Sequence, residues 1–194
     1  ANSRIDQYRK ANISVVVKDP NGVPISGASV GVHMKKHAFQ FGTAVSETYF
    51  VDGASSDPTN NAIYRQKITQ LFNSAVLENG HKWSMWENSS WKNKSITTTN
   101  WLENNGLTMR GHTMIWQIMN QGWALPNNVR NVLIKADVDI TAADRDYVRQ
   151  RALDHIANIG SYAYNQGKLA EWDVVNEHRN NNRLAAVIYP GVAN

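Results

Sequence analysis

Glu171-Trp172-Asp173-Val174-Val175-Asn176-Glu177 is a short, largely apolar run with a sharply polar end. Leu169 and Ala170 lead into it, and Gly167 before them stops the preceding helical pattern. A brief apolar run bounded by turn signals reads as a buried strand of a parallel sheet. The run closes on Asn176-Glu177, then on His178-Arg179-Asn180-Asn181-Asn182-Arg183. A carboxylate beside an amide, at the C-terminal end of a buried parallel strand, stands where α/β barrels put catalytic groups. The plainer reading makes Glu177 merely the first solvated residue after a strand.

Two upstream segments change that balance. One is Glu78-Asn79-Gly80-His81-Lys82-Trp83-Ser84-Met85-Trp86-Glu87, and the other is Arg110-Gly111-His112-Thr113-Met114-Ile115-Trp116. Together with W-D-V-V-N-E, they resemble, in order, the second-, third- and fourth-strand motifs of family 10 glycoside hydrolases, the endo-β-1,4-xylanases. His37-Ala38-Phe39-Gln40-Phe41-Gly42-Thr43-Ala44 is similar to that family's first strand. Each motif singly is weak; three with ordered spacing are specific. The resemblance spans residues 37–177.

Composition agrees with a globular chain. Hydrophobic residues make up 42% and charged residues 19% of the 194 positions, which is enough for one sizeable core. With no cysteine, disulfides and thiolate metal sites are excluded. The net charge of +4 is carried by scattered Lys and Arg, which argues against a nucleic-acid partner. No apolar run reaches the roughly 20 residues of a membrane helix. No signal peptide heads the chain, although the resemblance implies a secreted protein. No cofactor is expected. A metal centre is disfavoured because the histidines lack H-E-x-x-H or comparable spacing.

Along the chain, residues 1–10 read as a polar lead-in. Residues 12–18 and 28–34 read as two antiparallel strands about the turn Asp19-Pro20-Asn21-Gly22. The expected organisation is therefore a β-hairpin segment over 1–36 and a barrel portion over 37–194. A loop is expected over 46–57, and a helix from Asp57-Pro58 with Tyr64, Ile68, Leu71 and Phe72 on one face. Ala75-Val76-Leu77 is the second strand. A polar loop follows over 88–100, then a short helix closed by Asn105-Gly106, then the third strand to Trp116. An amphipathic piece surrounds Val129, Val132 and Leu133. Thr141 to Asp144 form a capping box opening a long helix whose stripe is Val148, Ala152, Ile156, Ile159 and Ala163. Strands alternating with helices imply a parallel sheet.

The resemblance implies a (β/α)8 TIM barrel of which this chain holds about the first four β/α units. A whole barrel uses ~250 residues. The family's nucleophile, a second Glu near the seventh strand in an I-T-E-L-D-type motif, has no counterpart here. A retaining glycosidase needs two carboxyl groups about 5–5.5 Å apart. By resemblance, Glu177 is the general acid and then the general base, its proton held by burial and by the partner carboxylate. Asn176 binds the sugar 2-hydroxyl, Glu78, Asn79 and Lys82 bind the neighbouring sugar, and His112 and Trp116 line the cleavage subsite. The plainer readings are a Lys–Glu ion pair, a hydrogen-bonded core histidine and a core tryptophan; Trp83 leans to the core, and Trp86 stacks on sugar or fills it. Three positions depart from the family: Gln117 replaces its usual His, Met119-Asn120 stand near its sugar-binding Gln, and His178-Arg179 follow Glu177. The implied partner is xylan or a related β-1,4-linked polysaccharide, with a second chain or segment completing the barrel. The alternative is a carbohydrate-binding remnant without catalysis.

Overall fold

A computed structural model describes residues 2–8, 10–51, 57–167 and 169–191. The chain forms two compact units, Ala1–His37 and Ala38–Asn194.

In the first unit, the polar lead-in is a helix, α1 (Asn2–Tyr8), with no buried residue. The expected turn is present. Asp19 Oδ1 accepts the backbone N–H of Asn21 at 2.9 Å and of Val23 at 2.8 Å, and Gly22 has φ 86°. The two expected strands are not. They reduce to one antiparallel bridge, Lys18–Pro24. The physical reason is exposure: Val16 is 60% and Val32 61% exposed, so the alternating apolar residues bury nothing and a lone hairpin is marginal.

The second unit is built on a parallel sheet of four strands in the order β1 (Gly42–Val45), β2 (Ser74–Leu77), β3 (Thr108–Trp116) and β4 (Glu171–Asn176). Between them run α2 (Pro58–Leu71), α3 (Trp83–Glu87), α4 (Ser89–Asn104), α5 (Asn127–Leu133) and α6 (Ala142–Gln166), and α7 (Arg183–Ile188) follows β4. Two apolar clusters hold helices to strands. One joins Val45, Leu77 and Met109 to Ile68, Leu102 and Ala163; the other joins Ile115 to Val129, Leu133, Val148 and Leu184. The opposite side is open. Ala44, Val76, Arg110 and Glu171, which stand in register across all four strands, line one hollow there.

Local chemistry sets the helix ends. Asp57 Oδ1 accepts from Thr59 N at 2.9 Å and starts α2, although Leu71, expected on its buried face, is 64% exposed. The long helix α6 starts in the expected capping box, with Asp144 N donating to Thr141 Oγ1 at 3.1 Å, and stops at Gly167 with φ 61°. The expected loop over 46–57 includes a 3-10 turn, Glu47–Tyr49, and residues 52–56 lie outside the described residues.

Three further expectations are corrected. The first strand is confined to Gly42–Val45. Residues 88–100 are not a loop but most of α4, capped by Asn88, whose Oδ1 accepts from Trp91 N at 3.1 Å. The buried stripe of α4 is Ser95, Thr98, Thr99 and Leu102. Its spacing is helical, but small polar residues carry it, so a search for apolar periodicity passes over it. Finally, β4 is not buried: Val174 is 51% and Val175 47% exposed. Among the described residues it pairs on one side only, with β3.

Candidate functional site

Parallel pairing brings the C-terminal ends of all four strands to one side of the sheet, because Val45 is level with Leu77 and Trp116 with Asn176. The residues at and just beyond those ends therefore gather there: Glu47, Glu78, Trp116 and Glu177.

Trp116 is the last residue of β3 and is buried. Its indole Nε1 donates to Glu177 Oε2 at 2.8 Å, and Asn181 Nδ2 donates to the same oxygen at 3.0 Å. Both bonds fall on Oε2, so the carboxylate is oriented from one side. Glu177 itself is exposed and has φ 52°, a left-handed conformation unusual for glutamate. The burial expected of it is therefore not supplied by the described residues. Asn176 is half-buried beside it.

Lys82 is buried to 7% and ties the second motif to this group. Its Nζ donates to Asn79 Oδ1 at 2.9 Å and lies 4.5 Å from the Trp116 ring centroid and 5.0 Å from that of Trp123. The ammonium thus goes to an amide and two indoles, while Glu78 acts on it through charge alone. Burial lowers the Lys82 pKa from its ordinary value, and the charges of Glu78, Glu47 and Glu177 oppose that shift. The structure therefore gathers Glu78, Asn79, Lys82, Trp116 and Glu177 into one polar and aromatic surface.

His112 goes elsewhere. It lies inside β3, and its Nδ1 is 2.9 Å from Asp173 Oδ2, which Arg110 also meets at 3.1 Å. Its bond to Asp173 fits the hydrogen-bonded histidine of the plainer reading, although it is half-buried rather than in the core. The peptide between His112 and Thr113 is cis. Trp83 and Trp86 are both 1% exposed and fill core; their indole N–H groups donate to Glu87 and Asn158. At the departures, Gln117 is buried and its Oε1 accepts from Ala185 N at 3.1 Å, which makes it a brace for α7.

Two members of the group escaped the sequence reading. Glu47 stands two residues beyond the end of β1, and the rule that singled out Glu177, a carboxylate at a strand's C-terminal end, would have found it. Trp123 lies in an irregular connection, where no periodicity marks it. It is 39% exposed and packs edge-on to Trp116 at 5.9 Å. Among the described residues, no group of three or more His, Asp or Glu is placed to hold a metal ion. Nor is any helix there long and apolar enough to cross a membrane.

A parallel β/α sheet with carboxylates, a lysine and indoles converging at the C-terminal strand ends has the arrangement of part of a (β/α) barrel. The family model for glycosyl hydrolase family 10 matches residues 29–189, and the chain belongs to that family. Endo-1,4-beta-xylanase 3 of Hypocrea jecorina is 30% identical over 148 residues, 74% of this chain and 35% of that protein. The anti-sigma-I factor RsgI6 of Acetivibrio thermocellus is 30% identical over 205 residues, 100% of this chain and 23% of that protein. Among solved structures, a xylanase A mutant from P fluorescens subsp. cellulosa in complex with xylopentaose superposes with TM-score 0.53 at 25% identity, covering 73% of this chain and 35% of that one. The chain spans roughly a quarter to a third of the length of these relatives.

Proposed function

We propose that this chain is the acid/base portion of a retaining endo-β-1,4-xylanase barrel that acts on extracellular xylan. The observation that carries the reading is the Glu177 carboxylate, oriented by the Trp116 indole N–H at 2.8 Å beside the Lys82 cluster. In this reading Glu177 protonates the glycosidic oxygen while a nucleophilic carboxylate, which these residues do not supply, attacks the anomeric carbon. The bond to the leaving sugar breaks and a glycosyl–enzyme ester forms. Glu177, now ionised, takes a proton from the water that hydrolyses the ester. Asn176 hydrogen-bonds the 2-hydroxyl, and Glu78, Asn79 and Lys82 hold the neighbouring sugar. Trp116 lines the cleavage subsite, and His112, whose Nδ1 is taken by Asp173, is given no sugar contact.

One comparison favours a second reading. One relative aligned over the whole chain is named an anti-sigma factor and not a xylanase. In this second reading the family fold and its sugar-facing residues are kept, and the chain binds β-1,4-linked polysaccharide without cleaving it.

Reducing-sugar release and xylopentaose binding separate the two readings. Joined to a segment that supplies a second carboxylate about 5–5.5 Å from Glu177, the chain is expected to release sugar from xylan. Glu177→Gln is then expected to lower that rate by about 10²–10⁴-fold. Binding without release in the joined protein favours the second reading. Absence of both overturns the two together.

A further inference from the structure

We propose that Glu47 is a positioning residue for the sugar-binding segment Glu78–Lys82: its buried carboxylate holds the backbone of that segment in the conformation that presents Asn79 and Lys82 to a β-1,4-linked sugar. The inference rests on the carbohydrate reading above and adds to it a residue that the motifs leave out.

The geometry is local and specific. Glu47 is 1% exposed, although it is an acidic residue just two positions beyond the end of β1. Its Oε1 accepts two successive backbone N–H groups, that of Asn79 at 3.2 Å and that of Gly80 at closer range. Successive amides converging on one oxygen make a small anion-binding nest, and here the anion is built into the chain. The segment's start is also anchored, since Glu78 N donates to Val45 O at 2.9 Å, and a turn closes within it where Lys82 N donates to Asn79 O at 2.9 Å. Glu47 secures the middle.

Gly80 is the counterpart of this arrangement. A Cβ there would stand 2.6 Å from Glu47 Oε1 and 2.1 Å from Ser95 Oγ, too close for any real atom. The backbone can approach the carboxylate only because position 80 has no side chain. Asn79 and Gly80 precede the turn into α3, which Lys82 caps, so a shift of the segment would move Lys82 off the Trp116 and Trp123 rings. The charge of Glu47 also favours the Lys82 ammonium, which burial disfavours. Burial raises the Glu47 pKa from its ordinary value, and the backbone N–H groups of Glu47, Gly80 and Asn79 oppose that rise.

The test compares Glu47→Gln, which keeps an acceptor of the same reach, with Glu47→Leu, which removes it. Amide hydrogen exchange and calorimetric titration with xylopentaose are the readouts. Glu47→Leu is expected to lose protection at Asn79 and Gly80 while the β3 amides keep theirs, and to bind xylopentaose at least ten-fold more weakly. Glu47→Gln is expected to restore both to within about two-fold. If Glu47→Leu does not fold, Glu47→Asp, whose carboxylate falls one methylene short, is expected to show the same selective loss. Unchanged affinity and protection in a folded Glu47→Leu or Glu47→Asp protein overturns the proposal. So does protection lost equally across β2 and β3, which would mark a general structural role. A wild-type chain that binds no xylopentaose overturns the carbohydrate reading and the sugar clause of this one; the exchange pattern then still reports whether Glu47 holds the segment.

Discussion

β3 and β4 are neighbours in one sheet, yet they live in different surroundings. β3 pairs on both sides, and Met109, Gly111, Thr113, Ile115 and Trp116 along it are buried. β4 has a comparable share of apolar residues, yet none of its residues is buried. Composition therefore does not set the burial of a parallel strand; the neighbours and covering layers do. The contrast carries into chemistry. Glu47 sits at the end of a strand in a packed region and has its carboxylate enclosed by backbone N–H groups. Glu177 sits at the end of the uncovered strand and is held from one side, open to solvent on the other.

The packed side should respond most to mutation. Leu102 of α4 is 0% exposed and packs with Val45, Leu77 and Met109. Leu102→Ala removes buried methylenes and leaves a cavity, so it is expected to cost about 2–5 kcal/mol, read from the urea midpoint at constant m. A cost under about 1 kcal/mol would mean that this core collapses around the gap and that the packed side is less packed than the structure shows. Gly111→Ala probes the seam between the two strands. A Cβ there would lie 2.3 Å from the Trp172 indole, a rigid ring rather than a flexible chain end. Overpacking of this kind costs up to about 3 kcal/mol. If β4 were loosely held, the ring would give way, and Gly111→Ala would be nearly neutral.

Such contrasts also show what could be read from residues alone. The strand–helix alternation, the α6 capping box and the Asn21-Gly22 turn were legible, because each depends on local chemistry that a few residues determine. The grouping of Glu78, Asn79, Lys82, Trp116 and Glu177 was legible only through the motifs of a family. Three features were not legible, each for a physical reason. α4 is packed through Ser95, Thr98 and Thr99, whose small size rather than hydropathy lets the helix approach. The hairpin over residues 12–34 has the right alternation, yet its valines find no surface within that unit to bury against. Strand β4 looks buried from its composition, but exposure at a sheet edge depends on which strands lie beyond it.

Acid should weaken the packed side through its histidines. His81 is fully buried against Trp86 and Trp172, and burial first, then the nearby His112, lowers its pKa to about 3. His155, stacked on Trp83 and close to Met114 O, is lowered to about 4, again mainly by burial. Above pH ~6.5 both folded and unfolded chains hold these rings neutral and nothing is gained or lost. Between pH ~6.5 and the folded-state values, the unfolded chain binds protons that the folded chain refuses. Stability therefore falls with pH, by about 1.4 kcal/mol per unit for each ring. At pH 5 each is expected to have removed about 2 kcal/mol. His81→Leu is expected to flatten the slope of urea midpoint against pH between 7 and 5 by about half. An unaltered slope would show that His81 titrates normally and that its site is wetter than the burial implies.

The smallest expected effect is the most direct test of the contrast between strands. Val45→Ala and Val174→Ala delete the same atoms from the ends of the same sheet, but Val45 is 0% and Val174 51% exposed. At ~0.8 kcal/mol per buried CH₂, and with a cavity left behind, Val45→Ala is expected to cost about 2 kcal/mol. Val174→Ala is expected to cost about 0.5 kcal/mol, the scale of a surface substitution with a small loss of strand preference. Equal costs would mean that β4 is covered in solution. Covering by a second copy would make the Val174→Ala effect depend on protein concentration, since binding to the folded state adds stability by mass action. Covering from within the chain would leave it unchanged by dilution. The pair of valines, measured at two concentrations, therefore separates an open strand edge from one closed by self-association.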